Sequence, residues 1–291
     1  MFDAWVMVDW SAGRDHGPTP RKDAIWIGQS GAGDDMPPVY MRGRRDAEAW
    51  LVARIEAALA RGERLCVGFD FAFAYPAGFA RQVTGSDDPF VLWDWFAARV
   101  EDGPKGVSNR FGVGGELNAI FGGVGPFWGN GAKADVPHLP RKGRARTFRW
   151  REPKRAVERR ATGAFEVWQL AGAGCVGSQV IMGLPTLARL RARFGDRLGV
   201  WPWDHDGKDI VLAEIFPSLL ADAVRARSAA GDIRDAVQVT LLAGALARAG
   251  TEAMFDTGAL EGAWEEEGWI LGVGHEAALD AAARDVPAVW R

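Results

Sequence analysis

Leu65-Cys66-Val67-Gly68-Phe69-Asp70-Phe71-Ala72-Phe73 decides the reading of the fold. It is a short apolar run with Val and Phe, set behind the charged Arg61-Gly62-Glu63-Arg64, as in a central strand. A carboxylate in such a run is costly unless it is paired, hydrogen-bonded or metal-bound, and Asp70 is that carboxylate. Trp5-Val6-Met7-Val8-Asp9 repeats the pattern. The two runs are expected to lie side by side and bring Asp9 and Asp70 to one edge of a sheet.

Working outward, residues 3–9, 24–29 and 39–42 read as a three-stranded meander, with Ser11-Ala12-Gly13 as a turn just past Asp9. Ala49, Trp50, Val52, Ala53, Ile55, Ala57 and Leu59 give the stretch from Asp46 to Arg61 an apolar helical face, closed by Gly62. A helix spans Asp88 to Arg99. Between Gly103 and Gly131 glycines crowd and regular structure is expected to thin into a long loop. Phe165 to Leu170 reads as extended, Leu184 to Phe194 as helix, Gly199 to Trp203 and Asp209 to Pro217 as strands, and Leu219 to Arg227 and Ile233 to Ala249 as helices. The expected architecture is α/β: a mixed sheet in the order β-β-β-α-β-α-β-α. It is built from 1–80 and 166–250, with a Gly-rich and Arg-rich insertion over 81–165 as lid or substrate module. Residues 251–291 form a helical extension whose acids Glu261, Glu265, Glu266 and Glu267 read as solvated surface.

The 291 residues permit one large domain or two small ones, and 48% hydrophobic residues suffice for a sizeable core. Net charge is −3, so polyanion binding by bulk charge is excluded and any such contact needs a local patch. The two cysteines, Cys66 and Cys175, are far apart in apolar or Gly-rich surroundings, which fits a reducing cytoplasm better than a disulfide framework. No run of about 18 apolar residues predicts a membrane span. The acid in Met1-Phe2-Asp3 is unlike the start of a signal peptide. Four histidines without a close Cys/His cluster argue against a structural zinc site.

Four acids carry the chemistry: Asp9, Asp70, Glu214 and Asp235. Three close apolar strands, and Asp235 opens a helix, where the dipole favours negative charge. Carboxylates converging at strand ends suit Mg²⁺ or Mn²⁺, which take oxygen ligands and activate water in phosphoryl transfer. Each acid also has a structural reading: Asp9 bonding the turn amides, Asp235 as a helix-start acid, Glu214 paired with an arginine.

The element order, with Val8-Asp9-Trp10-Ser11-Ala12, Gly68-Phe69-Asp70-Phe71-Ala72, Ala213-Glu214-Ile215-Phe216-Pro217 and Arg234-Asp235-Ala236, resembles the RNase H-like fold. More narrowly, it resembles an uncharacterised bacterial family of predicted nucleases with that fold. The resemblance brackets most of 5–249. It implies a metal-dependent phosphodiester hydrolase in which Asp9, Asp70, Glu214 and Asp235 hold the ions, acting on a nucleic acid or nucleotide-like phosphoester. Two departures stand out: the third acid lies on a strand rather than a helix, and 81–165 has no counterpart in a minimal RNase H domain. Two alternatives stay open. One is an ATP-dependent phosphotransferase of the actin and sugar-kinase type, with Ser11-Ala12-Gly13 as its phosphate turn. The other is an accessory protein of molybdopterin or cobalamin biosynthesis, after which some of the family are named.

The stretch from Arg141 to Arg160 holds ten Lys and Arg against Glu152 and Glu158. Arginine pairs with phosphate and stacks on bases, so Arg146, Arg149, Arg155 and Arg159 are candidate phosphate contacts; the bland reading is a solvated cationic helix or neutralisation of buried acids. Ser11, Gln169, Ser178 and Gln179 complete the expected substrate contacts. Gly172-Ala173-Gly174-Cys175-Val176-Gly177 matches the letters of a dinucleotide fingerprint, but Pro202 interrupts the strand that should follow, and a tight packing turn is the better reading. His16 and His138 fall in polar loops. Asp204-His205-Asp206, beside Gly207 and Lys208, reads as an ordinary polar turn.

Overall fold

The computed structural model describes residues 2–13, 17–31 and 34–291; His16 lies outside them. Three strands, β1 (Ala4–Asp9), β2 (Ile25–Gly31) and β3 (Asp34–Met41), precede helix α1 (Arg44–Arg61) and strand β4 (Leu65–Phe69). Helices α2 (Phe79–Thr84), α3 (Pro89–Ala97), α4 (Arg110–Ile120), α5 (Ala156–Arg160) and α6 (Gly177–Phe194) follow. Then come β5 (Leu198–Val200), β6 (Ile210–Glu214), α7 (Ala221–Arg227), α8 (Arg234–Arg248), α9 (Trp264–Glu267) and α10 (Glu276–Ala283). The fold is mixed α/β, on one six-stranded sheet of order β3-β2-β1-β4-β6-β5. Both pairings of the meander are antiparallel; β1–β4, β4–β6 and β5–β6 are parallel. Among the described residues no helix is long and apolar enough to cross a membrane.

The chain divides into two compact units. The first comprises Met1–Asp70, Arg193–Leu260 and Trp269–Arg291, and carries the whole sheet. The second comprises Phe71–Ala192 and Glu261–Gly268. The second unit is therefore larger than the expected insertion over 81–165: it starts directly after Asp70, takes in nearly all of α6, and recruits part of the expected C-terminal extension.

In the first unit the run from Leu65 to Phe69 is buried on both faces, which is why it is apolar throughout. α1 buries Ala47, Leu51, Ile55 and Ala58, one helical stripe, and ends on Gly62 in the left-handed conformation (φ 64°), its N–H bonded to the carbonyls of Ala58 and Leu59. α8 lies across β1, β2 and β3. Its approach depends on Gly28: a Cβ there would sit 2.3 Å from the Val239 carbonyl oxygen. β3 begins five residues earlier than the expected 39–42, because its edge position tolerates Pro37 and Pro38.

In the second unit, rings of Tyr75, Phe79, Phe127, Trp150 and Trp168 pack at 4.2–6.0 Å between centroids into an aromatic core. The expected loop of 103–131 contains α4. Its glycines are packing residues rather than breakers: a Cβ at Gly115 would lie 2.4 Å from the Pro137 carbonyl oxygen, and one at Gly114 2.6 Å from Leu170. Phe165 to Leu170 forms no strand and makes a single bridge, Gln169 to Trp128. The acids of 261–268 also depart from a solvated surface. Glu267 is 5% exposed and accepts from the backbone N–H of Ala77 and Ala156 at 2.9 and 2.6 Å, while Glu266 accepts from Gly78 N–H at 2.8 Å.

Candidate functional site

Asp9 ends β1 and Asp70 follows β4 directly. The parallel ladder continues past the last strand residue, since Asp70 N–H donates to the Val8 carbonyl at 3.2 Å. Adjacent parallel strands therefore bring the two carboxyls together, and they hydrogen-bond each other. Trp10 N–H donates to Asp70 Oδ1 at 2.5 Å. Asp235, in the first turn of α8, accepts at Oδ2 from Asp23 N–H at 2.7 Å; Asp23 holds a left-handed φ of 59°, a conformation Asp tolerates.

These carboxyls are electrostatically frustrated. Burial raises the Asp9 carboxyl well above the carboxylate range, and the charges of Asp70, Asp235 and Asp23 add to it. Burial also pushes Asp70 up to about 7, aided by Asp235 and opposed by the Trp10 N–H and the Asp9 hydrogen bond. Asp235 is raised by burial first, with Arg234 and Lys22 pulling the other way. The first two titrate as one system in which burial disfavours the doubly charged form.

Side-chain alternation decides which acids belong to this group. Register sets Val8, Phe69 and Glu214 abreast, and Met7, Gly68 and Ala213 abreast on the opposite face. The second set faces α8, because Gly28, the partner of Met7, touches Val239. Two residues further along that face come Asp9 and Asp70. Asp235 descends from α8 on the same side. Glu214, 3% exposed, lies on the other face, its carbonyl taking the Leu271 N–H at 2.9 Å. The sequence reading put four acids at one edge; the period of two leaves three together, because Glu214 is one residue out of step with Asp70. Among the described residues, no group of three or more Asp, Glu, His or Cys closes into a metal cage.

Beside Asp235 is a cleft of about 640 Å³, lined by Lys22, Asp23, Ser218, Asp232, Ile233, Arg234, Asp235 and Gln238. This volume is within the range of small-ligand pockets. Lys22 and Gln238 had no signal in the sequence, and Arg234 entered only as the neighbour of Asp235, because the cleft joins a loop and a helix start that only folding brings together. Ser11 is occupied within its own turn: its Oγ accepts from Gly13 N–H at 3.0 Å and donates to the Asp23 carbonyl at 2.9 Å.

The remaining expected substrate contacts sit in the second unit. Arg155 is 1% exposed, pairs through Nε with Glu158 Oε1 at 2.8 Å and donates to the Glu267 carbonyl at 2.9 Å. It is an internal strut. Arg146 donates to the carbonyls of Gly143 and Pro126, and Arg159 to that of Lys154. Arg149 is exposed. Ser178 is buried and donates to the Leu170 carbonyl at 2.6 Å, and Gln169 donates to the carbonyls of Ala171 and Ala173. Gln179 is in the first turn of α6 and has polar or ring contacts of its own. The glycine turn before α6 is a packing device: Gly172 and Gly174 take positive φ, and a Cβ at Gly177 would lie 2.2 Å from the Val167 carbonyl oxygen. His138 lends its carbonyl to Asn118, and Asp204 accepts from Val200 N–H, as in an ordinary turn.

Compared with family models, curated proteins and solved structures, the chain matches none.

Proposed function

We propose that the first unit is a metal-dependent phosphodiester hydrolase on an RNase H-like core. The observation that carries the reading is the Asp9–Asp70 pair: two carboxyls held in contact at the ends of adjacent parallel strands, with Asp235 adding a third negative charge. Such crowding is costly unless a cation relieves it. Mg²⁺ binds through one or two carboxylates, keeps several waters and completes its shell with substrate phosphate. A two-carboxylate platform without a closed cage fits that habit, and Mn²⁺ shares the ligand preference. The bound ion would supply an activated water and charge stabilisation at the leaving oxygen.

The chain's own residues have separate tasks. Asp9 and Asp70 would hold the ion, and Asp235 would orient its water or a second ion. Trp10 N–H fixes the Asp70 carboxyl through Oδ1. Asp23 N–H fixes Asp235 in the same way. Lys22 and Arg234 line the cleft beside Asp235 and would hold a substrate phosphate, with Gln238 and Ser218 as neutral hydrogen-bonding groups. The occupied Ser11 hydroxyl weakens the ATP-dependent alternative, which needs that turn free for phosphate.

Calorimetric titration with Mn²⁺ tests the reading without a guess at substrate. Saturable binding by the wild type, lost in Asp9→Asn/Asp70→Asn, supports it. An unresponsive wild type, alone and with a nucleotide present, removes its main support.

A further inference from the structure

The second unit carries a segment that its own structure does not neutralise. Arg141-Lys142-Gly143-Arg144-Ala145-Arg146-Thr147-Phe148-Arg149-Trp150-Arg151 has six cations and no acid, in a chain of net charge −3. The structure sorts these cations. Arg141 is spent on Asp135 and on the carbonyls of Asn130, Ala132 and Lys133. Arg146 is folded onto the Gly143 and Pro126 carbonyls, over the Trp128 ring. Lys142, Arg144 and Arg151 are exposed, and their side chains have no polar or ring partner among the described residues. Arg149 is exposed too, and its guanidinium reaches the Gly143 carbonyl at 3.5 Å, the residue flanked by Lys142 and Arg144.

Lys142, Arg144 and Arg149 thus share one stretch of backbone, and Arg151 follows Arg149 by two residues. Arg149 lies near enough to Arg146 to pull its guanidinium below the usual range, after burial has done the larger part, and Glu166 opposes this. Gly143 is pressed on the Trp128 ring, where a Cβ would stand 3.2 Å from ring carbons, so the backbone under the cluster is anchored. Three of the four open cations are arginines, whose planar fork matches a phosphodiester bidentately.

We propose that Lys142, Arg144, Arg149 and Arg151 form a docking surface for the phosphate backbone of a single-stranded nucleic acid. Phosphate contacts position a strand without reading its sequence, so this surface gives affinity and register rather than base choice. The inference deepens the hydrolase reading by naming a polymeric substrate, and it rests on that reading only for the word substrate; the binding itself stands apart.

The test is fluorescence anisotropy with a labelled mixed-sequence single-stranded oligodeoxynucleotide, in EDTA, over a salt series. The variant is Lys142→Gln/Arg144→Gln/Arg149→Gln/Arg151→Gln, with unchanged far-UV circular dichroism as the check on folding. The control is Arg193→Gln/Arg225→Gln, which removes exposed cations already paired with Glu56 and Asp222. The wild type is expected to bind with a strong salt dependence. The quadruple variant is expected to bind at least about tenfold more weakly, with a log–log salt slope smaller by about 3, at about 0.7 per lost single-strand phosphate contact. The control stays within about twofold, since it removes no charge from the docking surface. No wild-type binding at low salt, equal binding by the quadruple variant, or binding to phosphatidylserine vesicles but not to the oligonucleotide would each overturn the proposal. Failure here with a positive Mn²⁺ titration leaves a hydrolase of small phosphoesters; success here with a negative titration leaves a binding surface and removes the hydrolase.

Discussion

Each unit buries a cluster of charge, and the two clusters are built in opposite ways. In the second unit Arg155, Glu158 and Glu267 close on one another and on backbone N–H groups of Ala77, Arg155 and Ala156. Sign alternates and donors are matched. In the first unit Asp9, Asp70 and Asp235 bring the same sign together, and they are relieved by the backbone N–H groups of Trp10, Asp70 and Asp23 and, at Asp235, by the charges of Lys22 and Arg234. A closed, neutral network spends its charges on holding the chain. An open cluster of one sign leaves its charges unbalanced, as the proposed ion-binding role requires. The contrast is between a buried ion set that neutralises itself and one that does not.

The largest effect is expected from breaking the closed cluster. Arg155→Met strands Glu158 and part of the Glu267 network and should destabilise the second unit by roughly 3–5 kcal/mol, read as a lower urea midpoint. The open cluster should respond with the opposite sign. Asp70→Asn should raise stability in EDTA at pH 8 by about 2 kcal/mol, discounted because the group keeps some solvent contact. The pH window follows from the shift. With Asp70 near 7 in the fold and about 3.9 unfolded, the folded state holds a proton that the unfolded chain has lost. The Asp70 contribution to wild-type stability is therefore full below about pH 4 and is lost as pH rises through about 7. The gap between Asp70→Asn and wild type should vanish at acid pH; an equal gap at both pH values would show that the crowding is not electrostatic.

Metal binding sharpens the same contrast. Mn²⁺ would compete with protons for Asp9 and Asp70, so its affinity should rise by about fivefold between pH 6 and 7 and go on rising above, with protons released on binding in buffers of different ionisation enthalpy. Glu214→Gln should have the smallest effect, less than about twofold on Mn²⁺ affinity, because its side chain lies across the sheet. A loss as large as that of Asp70→Asn would place Glu214 in the centre after all.

The position of the acids was largely legible in sequence. An apolar run ending in Asp, met twice, announces two central strands and a pair of carboxylates at their ends, because a buried strand tolerates a charge only where it leaves the sheet. Helix α1 and its Gly62 cap were equally plain, since an 18-residue helix repeats its apolar stripe often enough to be read. Glycine misled where it served packing. Gly112, Gly114 and Gly115 look like breakers, yet they sit in α4, where two of them admit neighbouring chain at distances no Cβ allows. The arginines misled for a related reason: composition cannot tell Arg155, walled in beside Glu158, from Arg144 in solvent.

By itself, then, the sequence determined a mixed α/β chain with Asp9 and Asp70 delivered by apolar strands, because hydrophobic period and local turn chemistry are written residue by residue. Only the tertiary structure decided that Asp235 joins them and Glu214 does not. Membership of the group depends on which face of the sheet a residue meets and which helix crosses it. That is fixed by register between strands distant in sequence, where one residue's displacement reverses the face. Only the tertiary structure, likewise, separated the arginines that hold the second unit together from those left facing water.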